Sequence, residues 1–297
     1  MRIVDPKETP TADLHQYLLG AVAPRPIAFA STIDKDGNAN IAPYSFFNAF
    51  SSNPPILIFS SNRTVANNTT KDTLHNIEET GEVVINVVSY SIVRQMTVAS
   101  ISFPPDVDEF KKSGLTAIPS DLVKPYRVKE SPVQMECKVR EIIKLGDEGG
   151  AGNLILCDVV RMHIDENVLD GNRINPHKID LMGRMGRAYY TRASGISIHT
   201  IVQPVMTMTV GYDQLPESIR SSYILTANNL GQLAGTPEFP DEAVIEFVKK
   251  ESTVRGILKM DEAKEKLHQY AKELLDDKDE REKAMALLMI ADGFKEE

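Results

Sequence analysis

Short apolar runs separated by Gly, Pro, Asn and Asp dominate the first 190 or so residues, which is the punctuation of β structure. Residues 26–31 read as one strand. The turn-forming Asp34-Lys35-Asp36-Gly37-Asn38 closes a hairpin onto residues 40–43. Pro54-Pro55 breaks the chain before another strand-length run, 56–60. Residues 71–79 have helical spacing, with Leu74 and Ile77 on one face and Gly81 as the stop. Residues 82–88 are β-branched and apolar, hence a buried strand. Short helices are predicted at 91–99 and 107–112, the second ended by Gly114. Residues 133–145 and 153–164 are two long strands, and the glycine-rich link 146–152 makes them a hairpin. No helix follows that link and neither phosphate-loop spacing is present, so it is not a phosphate loop. Residues 193–208 read as an extended segment at the surface or at a dimer contact.

After Pro240 the period changes. Ala243, Val244, Phe247 and Val248 fall at helical spacing, as do Leu267, Tyr270, Ala271 and Leu274, with Asp, Glu and Lys on the other face. Residues 280–291 form a third helix of the same kind. The pattern therefore divides the chain into a mainly β domain at 1–192, an extension at 193–240 packing on it or on a dimer, and a small acidic helical tail at 241–297.

Composition narrows the function classes. The 297 residues are 42% hydrophobic and 25% charged, which excludes wholesale disorder. Acidic residues outnumber basic ones, 42 to 33, for a net charge of -9. General attraction to nucleic acid or an anionic membrane is not expected from such a chain. Residues 241–297, with 16 acidic and 11 basic side chains, carry over half of that charge. Apolar runs such as 56–59 and 284–291 fall far short of the ~20 residues of a membrane span. The first ten residues are polar, without a signal-peptide core, and a cytoplasmic protein is the expectation. Cys137 and Cys157 each sit in an apolar stretch, as buried free thiols do in a reducing compartment; a disulfide between neighbouring strands is the alternative.

Several chemistries have no support. There is no HExxH, no His/Cys cluster with metal spacing, no GxSxG and no dinucleotide glycine fingerprint, and the six histidines are scattered. No metal site is expected, and what remains is chemistry borrowed from a cofactor. The densest unusual stretch runs from Arg25-Pro26 to Ala42-Pro43-Tyr44-Ser45-Phe46-Phe47-Asn48 and on to Pro54-Pro55. Aromatics interleaved with small hydroxyl and amide residues suit a flat heterocycle with a polar edge. A second cluster, Ser60-Ser61-Asn62-Arg63 and then Lys71-Asp72-Thr73 at a helix start, suits an anion such as phosphate. Together they point to a phosphorylated aromatic cofactor. The plain alternatives are core aromatics and an ordinary capped helix.

The run APRPIAFASTIDKDGNANIAPYSFFNAFSSNPPILIFSS resembles the N-terminal signature of the flavin reductase-like family, the FMN-binding split barrels. The similarity continues through KDTLHNIEETGEVVINVV, SFPPDVDEFKKSGLTAIPSDLVKPYRVKESPVQMECKV and VVRMHIDENVLDGNRINPHKIDLMGRMGRAYYT. It covers roughly residues 15–192, about 60% of the chain, in the family's order. The resemblance implies a mainly β fold: a Greek-key antiparallel barrel that dimerises, with peripheral helices and, in this chain, a C-terminal helical extension. It also implies FMN as cofactor, with Ala42, Pro43, Tyr44 and Ser45 along the flavin ring and Phe46, Phe47 and Asn48 continuing that wall. Arg25 and Pro26 would lie near the ring's edge, and Ser60, Ser61, Lys71 and Thr73 at the phosphate. Tyr189 would reach the site from the far side of the barrel or from a partner subunit. Residues 64–70 depart from the Gly- and Pro-containing loop frequent in the family before KDT. Residues 102–106 resemble the family's mobile loop or are an ordinary proline-rich connection. His163 is either a hydrogen-bonded structural residue or one near the nicotinamide, and His177 is an exposed loop residue.

The activity implied is an FMN reductase-like oxidoreductase, in which NADH or NADPH passes a hydride to the flavin and reduced FMN serves a partner oxygenase or another acceptor. No side chain is assigned as catalytic, because both reacting centres belong to cofactors. The alternatives are a flavoprotein with tightly held FMN acting on a dedicated substrate, and a non-catalytic FMN-binding or storage protein.

Overall fold

The structure, a computed structural model, describes residues 1–104, 107–201 and 208–293. Seven strands form the main sheet: β1 (Ala28–Ile33), β2 (Ala39–Tyr44), β3 (Phe47–Ser52), β4 (Pro55–Ser60), β5 (Glu82–Val87), β6 (Val133–Lys144) and β7 (Asn153–Ile164). They pair antiparallel in the order β2-β1-β5-β6-β7-β4-β3. The long hairpin is in the expected place: β6 and β7 pair from Val133 opposite Ile164 to Lys144 opposite Asn153. Two register shifts, at Glu136/Cys137 and Val139/Glu141, mark bulges that bend and twist it.

The two edge strands, β2 and β3, are consecutive in the chain and joined only by Ser45 and Phe46. Three residue steps reach about 11 Å at most, so the sheet has to curl until its edges nearly meet at this link. The edges do not pair, and the ladder stays open at the seam instead of closing into the barrel that the resemblance implies. Phe47 and Asn48, which the resemblance places on the cofactor wall, begin the largely exposed edge strand β3.

Every residue of β1 is buried, because both of its faces are covered. Ala28 and Ala30 face the core inside the curl with Leu57, Phe59, Ile85 and Ile155, to which α2 (Asp72–Thr80) adds Leu74 and Ile77. Phe29 faces the opposite core with Ile41, Met96 and Phe110, where α3 (Val93–Val98) and α4 (Glu109–Ser113) pack. Gly81 and Gly114 end α2 and α4 at φ +68° and +70°, a conformation in which glycine carries no side-chain penalty. Cys137 and Cys157 are buried free thiols of the inner core, and burial pushes the Cys137 thiol up to about 12.

Helix α1 (Thr11–Ala21), which the sequence pattern did not predict, has no buried residue. It precedes β1, and α5 (Pro176–Ile179), which carries the exposed His177, follows β7. Three short strand pairs complete this part: Ala117–Ile118 with Arg127–Val128, Leu169–Asp170 with Arg173–Ile174, and Met182–Arg184 with Tyr190–Arg192.

The chain separates into two compact units, Met1–His199 and Thr200–Glu297. The expected boundaries at 192 and 240 are therefore replaced by one near 199. The physical reason is a shared core. Leu215, Ile219 and Leu233 bury themselves with Val248, Val254, Leu267 and Leu287, so residues on both sides of Pro240 belong to one helical unit. Its helices are α6 (Glu217–Arg220), α7 (Ala227–Ala234), α8 (Glu242–Lys250), α9 (Ser252–Ile257), α10 (Ala263–Lys278) and α11 (Arg281–Gly293). Residues 284–288 of α11 are all buried, as in a helix apolar on every side. The extended reading of 193–208 does not hold for Gly195–Ser197, a single 3-10 turn, while 202–207 and residues 105–106 of the proline-rich loop lie outside the described residues. Among the described residues no helix is long and apolar enough to cross a membrane.

Candidate functional site

A cavity of about 300 Å³ opens at the seam between β2 and β3. Pro43, Tyr44, Ser45 and Phe46 line it from the seam itself, and Ser60, Asn62, Arg63, Thr64 and Val65 from the end of β4 and the loop beyond. Lys71 enters from the start of α2, His15 and Leu19 from α1, and Gly150 from the β6–β7 hairpin, with Arg25 and Arg184 completing the wall. Four of these side chains are cationic and none is acidic. Among the described residues Arg25, Arg63, Lys71 and Arg184 make no ion pair. In a chain of net charge -9, such a pocket is built for an anion.

Lys71 is the least compensated of the four. Its ammonium lies 5.4 Å from the centre of the Tyr44 ring, and burial lowers its affinity for the proton. It is also the N-cap of α2, and no side chain caps that helix, whose first amides therefore stay available to an anion. Behind the wall, the Tyr44 and Ser61 hydroxyls are buried without a hydrogen-bond partner among the described residues, and burial raises the Tyr44 phenol to about 12.

Arg25 is held in the wall by several acceptors. Its guanidinium donates to Leu19 O (2.6 Å) and Val22 O (2.5 Å) at the end of α1, to Ser45 Oγ (3.3 Å) and to Met185 O (3.2 Å). Its backbone exchanges two hydrogen bonds with Arg184. The residue is buried and ties three walls together. It serves as a clamp and a C-cap for α1 while lining the cavity.

Of the other residues read from the sequence, the cavity gathers Pro43, Tyr44, Ser45, Phe46, Ser60 and Lys71. It is not lined by Pro26, which is exposed, nor by Ala42 and Phe47, which pack on the inner core. The Asn48 side chain is exposed and accepts the neighbouring Ala49 N–H at 2.8 Å. Ser61 is buried behind the wall, and the Thr73 hydroxyl, also buried, is bonded by Asn40 Nδ2 at 2.8 Å. Tyr189 is 68% exposed and contributes its carbonyl to Arg184.

Sequence reasoning missed His15, Leu19, Thr64, Val65, Gly150 and Arg184. The hairpin tip is the instructive case. Gly150 N donates to Arg63 O at 3.0 Å, Arg63 N to Ala151 O at 2.8 Å, and Asn62 Nδ2 to Gly150 O at 3.3 Å, so the tip forms part of the cavity wall. A methyl group at Gly149 would stand 2.9 Å from Val65 O and 3.0 Å from Thr64 O, both backbone atoms that cannot swing aside. Gly149→Ala is expected to displace residues 64–65 at a cost of about 1–3 kcal/mol. Urea unfolding measures it, and an unchanged midpoint would mean that the wall yields freely.

A larger cavity, about 620 Å³, lies at the opposite end of the β6–β7 hairpin and contains His163. Most of its charged groups are already engaged, Lys129 excepted. Lys178 pairs with Asp170, Asp180 with Arg192, and both Glu130 oxygens accept Thr116 N. His163 Nε2 donates to the fully buried Glu136 at 2.6 Å, which favours its structural reading. Asp121, Glu136 and His163 cluster closely, but that 2.6 Å contact is a hydrogen bond with no room for an ion between the atoms.

Comparison with known proteins places this geometry. The family model for the flavin reductase like domain matches residues 20–189, a span that includes all the lining residues except His15 and Leu19. An uncharacterized protein of Aquifex aeolicus (strain VF5) is 41% identical over 191 residues, 64% of this chain and 94% of the relative. The crystal structure of nitrilotriacetate monooxygenase component B from Bacillus cereus is similar with a TM-score of 0.63 and 30% identity, over 68% of this chain and 98% of that one. Pseudomonas fluorescens 2-nitrobenzoate 2-nitroreductase is similar with a TM-score of 0.62 and 25% identity, over 71% of this chain and the whole of the other. The matched segment ends before the second unit begins. Over its first unit, the chain belongs to the flavin reductase-like family.

Proposed function

We propose that the protein is a flavin-dependent oxidoreductase of the flavin reductase type, with FMN in the seam cavity and NADH or NADPH as hydride donor. The observation that carries this reading is the cavity's charge: four cationic side chains and no carboxylate, within the flavin reductase-like domain of an acidic chain. The donor set fits the cofactor. Lys71 and Arg63 supply cations for a phosphate, with the Ser60 and Thr64 hydroxyls and the uncapped start of α2 beside them. Leu19, Phe46 and Val65 supply apolar wall that keeps water from a ring, and the clamp at Arg25 fixes α1 and Ser45 in register. A bound flavin supplies the two-electron chemistry, so the protein's task is binding and alignment. The proposal includes a homodimer and a split Greek-key barrel as the form in which the open sheet works.

The likeness to a monooxygenase component supports a partner oxygenase as acceptor of the electrons. The likeness to a nitroreductase favours a second reading, in which FMN stays bound and reduces a dedicated small substrate. Incubation with FMN, desalting and anaerobic addition of NADH or NADPH tests the proposal. Retained absorbance near ~450 nm that bleaches with either nucleotide is the expected result. Protein that neither retains flavin nor oxidises NAD(P)H with free FMN added, or flavin that neither nucleotide bleaches, overturns the reductase reading. Continuous NAD(P)H oxidation that depends on added free FMN separates the first reading from the second.

A further inference from the structure

The turn between β1 and β2, one stripe of α2 and the start of α4 enclose a cavity of about 250 Å³ that shares no lining residue with the seam cavity. Five carboxylates, those of Asp34, Asp36, Asp72, Glu79 and Glu109, share its lining with one ammonium, Lys35. None of the six is ion-paired among the described residues. Two nearly buried side chains set this wall apart from an ordinary acidic surface. Asn76 is 7% exposed, and its Nδ2 donates inward to Thr32 Oγ1 at 3.1 Å. Asn40 Nδ2 donates to the same oxygen at 3.1 Å and to Thr73 Oγ1 at 2.8 Å. Thr32 has one hydroxyl proton, which cannot serve two amide oxygens, so the amino groups face it and the Oδ1 atoms turn away. Neither Oδ1 accepts a hydrogen bond among the described residues, and neither is sealed from water as the orphaned Ser31 and Ser61 hydroxyls are. Both therefore open on the cavity that their residues line. Glu109 is 6% exposed, and its carboxylate meets only backbone amides, its own and Ile41 N at 3.4 Å from Oε2. Burial, with Asp72 and Asp108 nearby, holds its pKa above the ordinary 4.5. A buried carboxylate without a cation, beside free amide oxygens, is completed by positive charge.

The lining also selects the kind of cation. Its free groups are oxygen acceptors, because His75 Nε2 is engaged by Thr70 Oγ1 at 2.8 Å. Asp34 is committed to the turn, where it accepts Asp36 N, Asn38 N and Asn38 Nδ2 at 2.7–2.9 Å. Among the lining residues there is no Phe, Tyr or Trp, and Ala39 and Val107 are the apolar ones. The carbon stem of an organic ammonium would have little to pack against. Among the described residues, no three of these carboxylates bring oxygens within 4.8 Å of one another, so they do not cage a bare ion. Mg²⁺ needs no such cage, since it keeps several waters and takes one or two carboxylates. We infer that this cavity binds Mg²⁺ with most of its water shell retained, Glu109 and Asp72 supplying the charge and the Asn40 and Asn76 amide oxygens accepting from the bound waters. A site spread over a turn and two helices leaves no metal-ligand spacing in the sequence. The inference does not depend on the flavin reading.

The test is calorimetric titration of the full-length protein, dialysed against a chelator and then against buffer, with MgCl₂ at fixed ionic strength. One saturable Mg²⁺ site per chain is expected, with putrescine, an organic dication, binding at least about tenfold more weakly. Glu109→Gln and Asp72→Asn are each expected to weaken Mg²⁺ binding about tenfold or more, the loss of one charge from a partly buried site. The exposed helix-start position of Asp72 keeps the test informative if Glu109→Gln does not fold. The inference is overturned if no saturable site appears by about 10 mM MgCl₂, as a cavity filled only by water predicts. It is overturned equally if putrescine binds as tightly as Mg²⁺. A folded Glu109→Gln or Asp72→Asn protein that binds like the wild type also overturns it, because the ion then sits elsewhere on the acidic surface.

Discussion

Lys71→Met is expected to weaken FMN binding by about 30-fold or more while leaving riboflavin binding nearly unchanged. The magnitude is that of one charge-assisted hydrogen bond in a partly desolvated site, about 2 kcal/mol. It falls on FMN alone because the phosphate is the group that riboflavin lacks. Of the four cations around the cavity, Lys71 has the fewest alternatives. Arg25 is spent on carbonyls, Arg63 donates to Asn68 Oδ1 and O, and Arg184 stacks 4.6 Å from the Tyr190 ring. Among the described residues the Lys71 ammonium has only the Tyr44 face. Fluorescence titration with the two flavins decides the matter, and an equal loss for both would move Lys71 from the phosphate to the ring.

The same residue has a stability signature without ligand. Burial lowers the Lys71 pKa below its ordinary 10.5, so the folded state holds this proton more weakly than the unfolded chain. The resulting penalty is full below the folded pKa and disappears as the pH rises towards 10.5. Flavin-free Lys71→Met should therefore be at least as stable as wild type at neutral pH, with the wild type gaining on it in alkali. A side chain that weakens the empty fold yet strengthens a complex is a binding residue, whatever its helix-capping position.

How much of this was legible in the sequence depends on how far apart the interacting residues are. The β6–β7 hairpin, α2 and β5 follow from local periodicity, and Gly81 and Gly114 end their helices for local backbone reasons. Lys71 and residues 43–46 are legible because chemistry and spacing coincide over short stretches. The hold on Arg25 was not legible because its partners Leu19 and Val22 depend on α1 and Met185 lies 160 positions away, and α1 buries no residue and so lacks a core-facing stripe to announce it. The glycines at 149–152 read as a turn; their second duty, close approach to Ser60, Thr64 and Val65, depends on contacts 84 to 92 positions away. β3 escaped notice because an exposed edge strand does not alternate cleanly between core and solvent. Residues 200–240 lack a helical signature of their own. Leu215, Ile219 and Leu233 become a core only when Val248 and the two long helices α10 and α11 are packed against them.

The largest loss of stability is expected at Glu136, a residue of the flavin reductase-like domain that does not line the seam cavity. Its carboxylate is fully buried, an expensive placement repaid by three donors. Oε1 accepts Asp121 N at 2.9 Å and His163 Nε2 at 2.6 Å, and Oε2 accepts Leu122 N at 2.6 Å. Asp121 in turn holds Arg161 at 2.6 Å, so one carboxylate fastens residues 121–122 to both strands of the β6–β7 hairpin. The bulge immediately after Glu136 turns the strand at this point. Burial alone would raise its pKa, but the two amides and the imidazole outweigh it, and the group titrates below its ordinary 4.5. A depressed carboxylate pKa contributes stability that is whole above 4.5 and is lost as the pH falls through the folded value. Glu136→Gln keeps the shape but presents an N–H₂ group where donors already converge, and a loss of about 3 kcal/mol follows from the unpaired amides and imidazole. Urea unfolding at neutral pH reads that loss, and repeating it towards pH 4 should show the wild type falling towards the variant. A Glu136→Gln protein within about 1 kcal/mol of wild type at neutral pH, or one whose disadvantage persists undiminished in acid, would show that the buried carboxylate does not hold this end of the hairpin together.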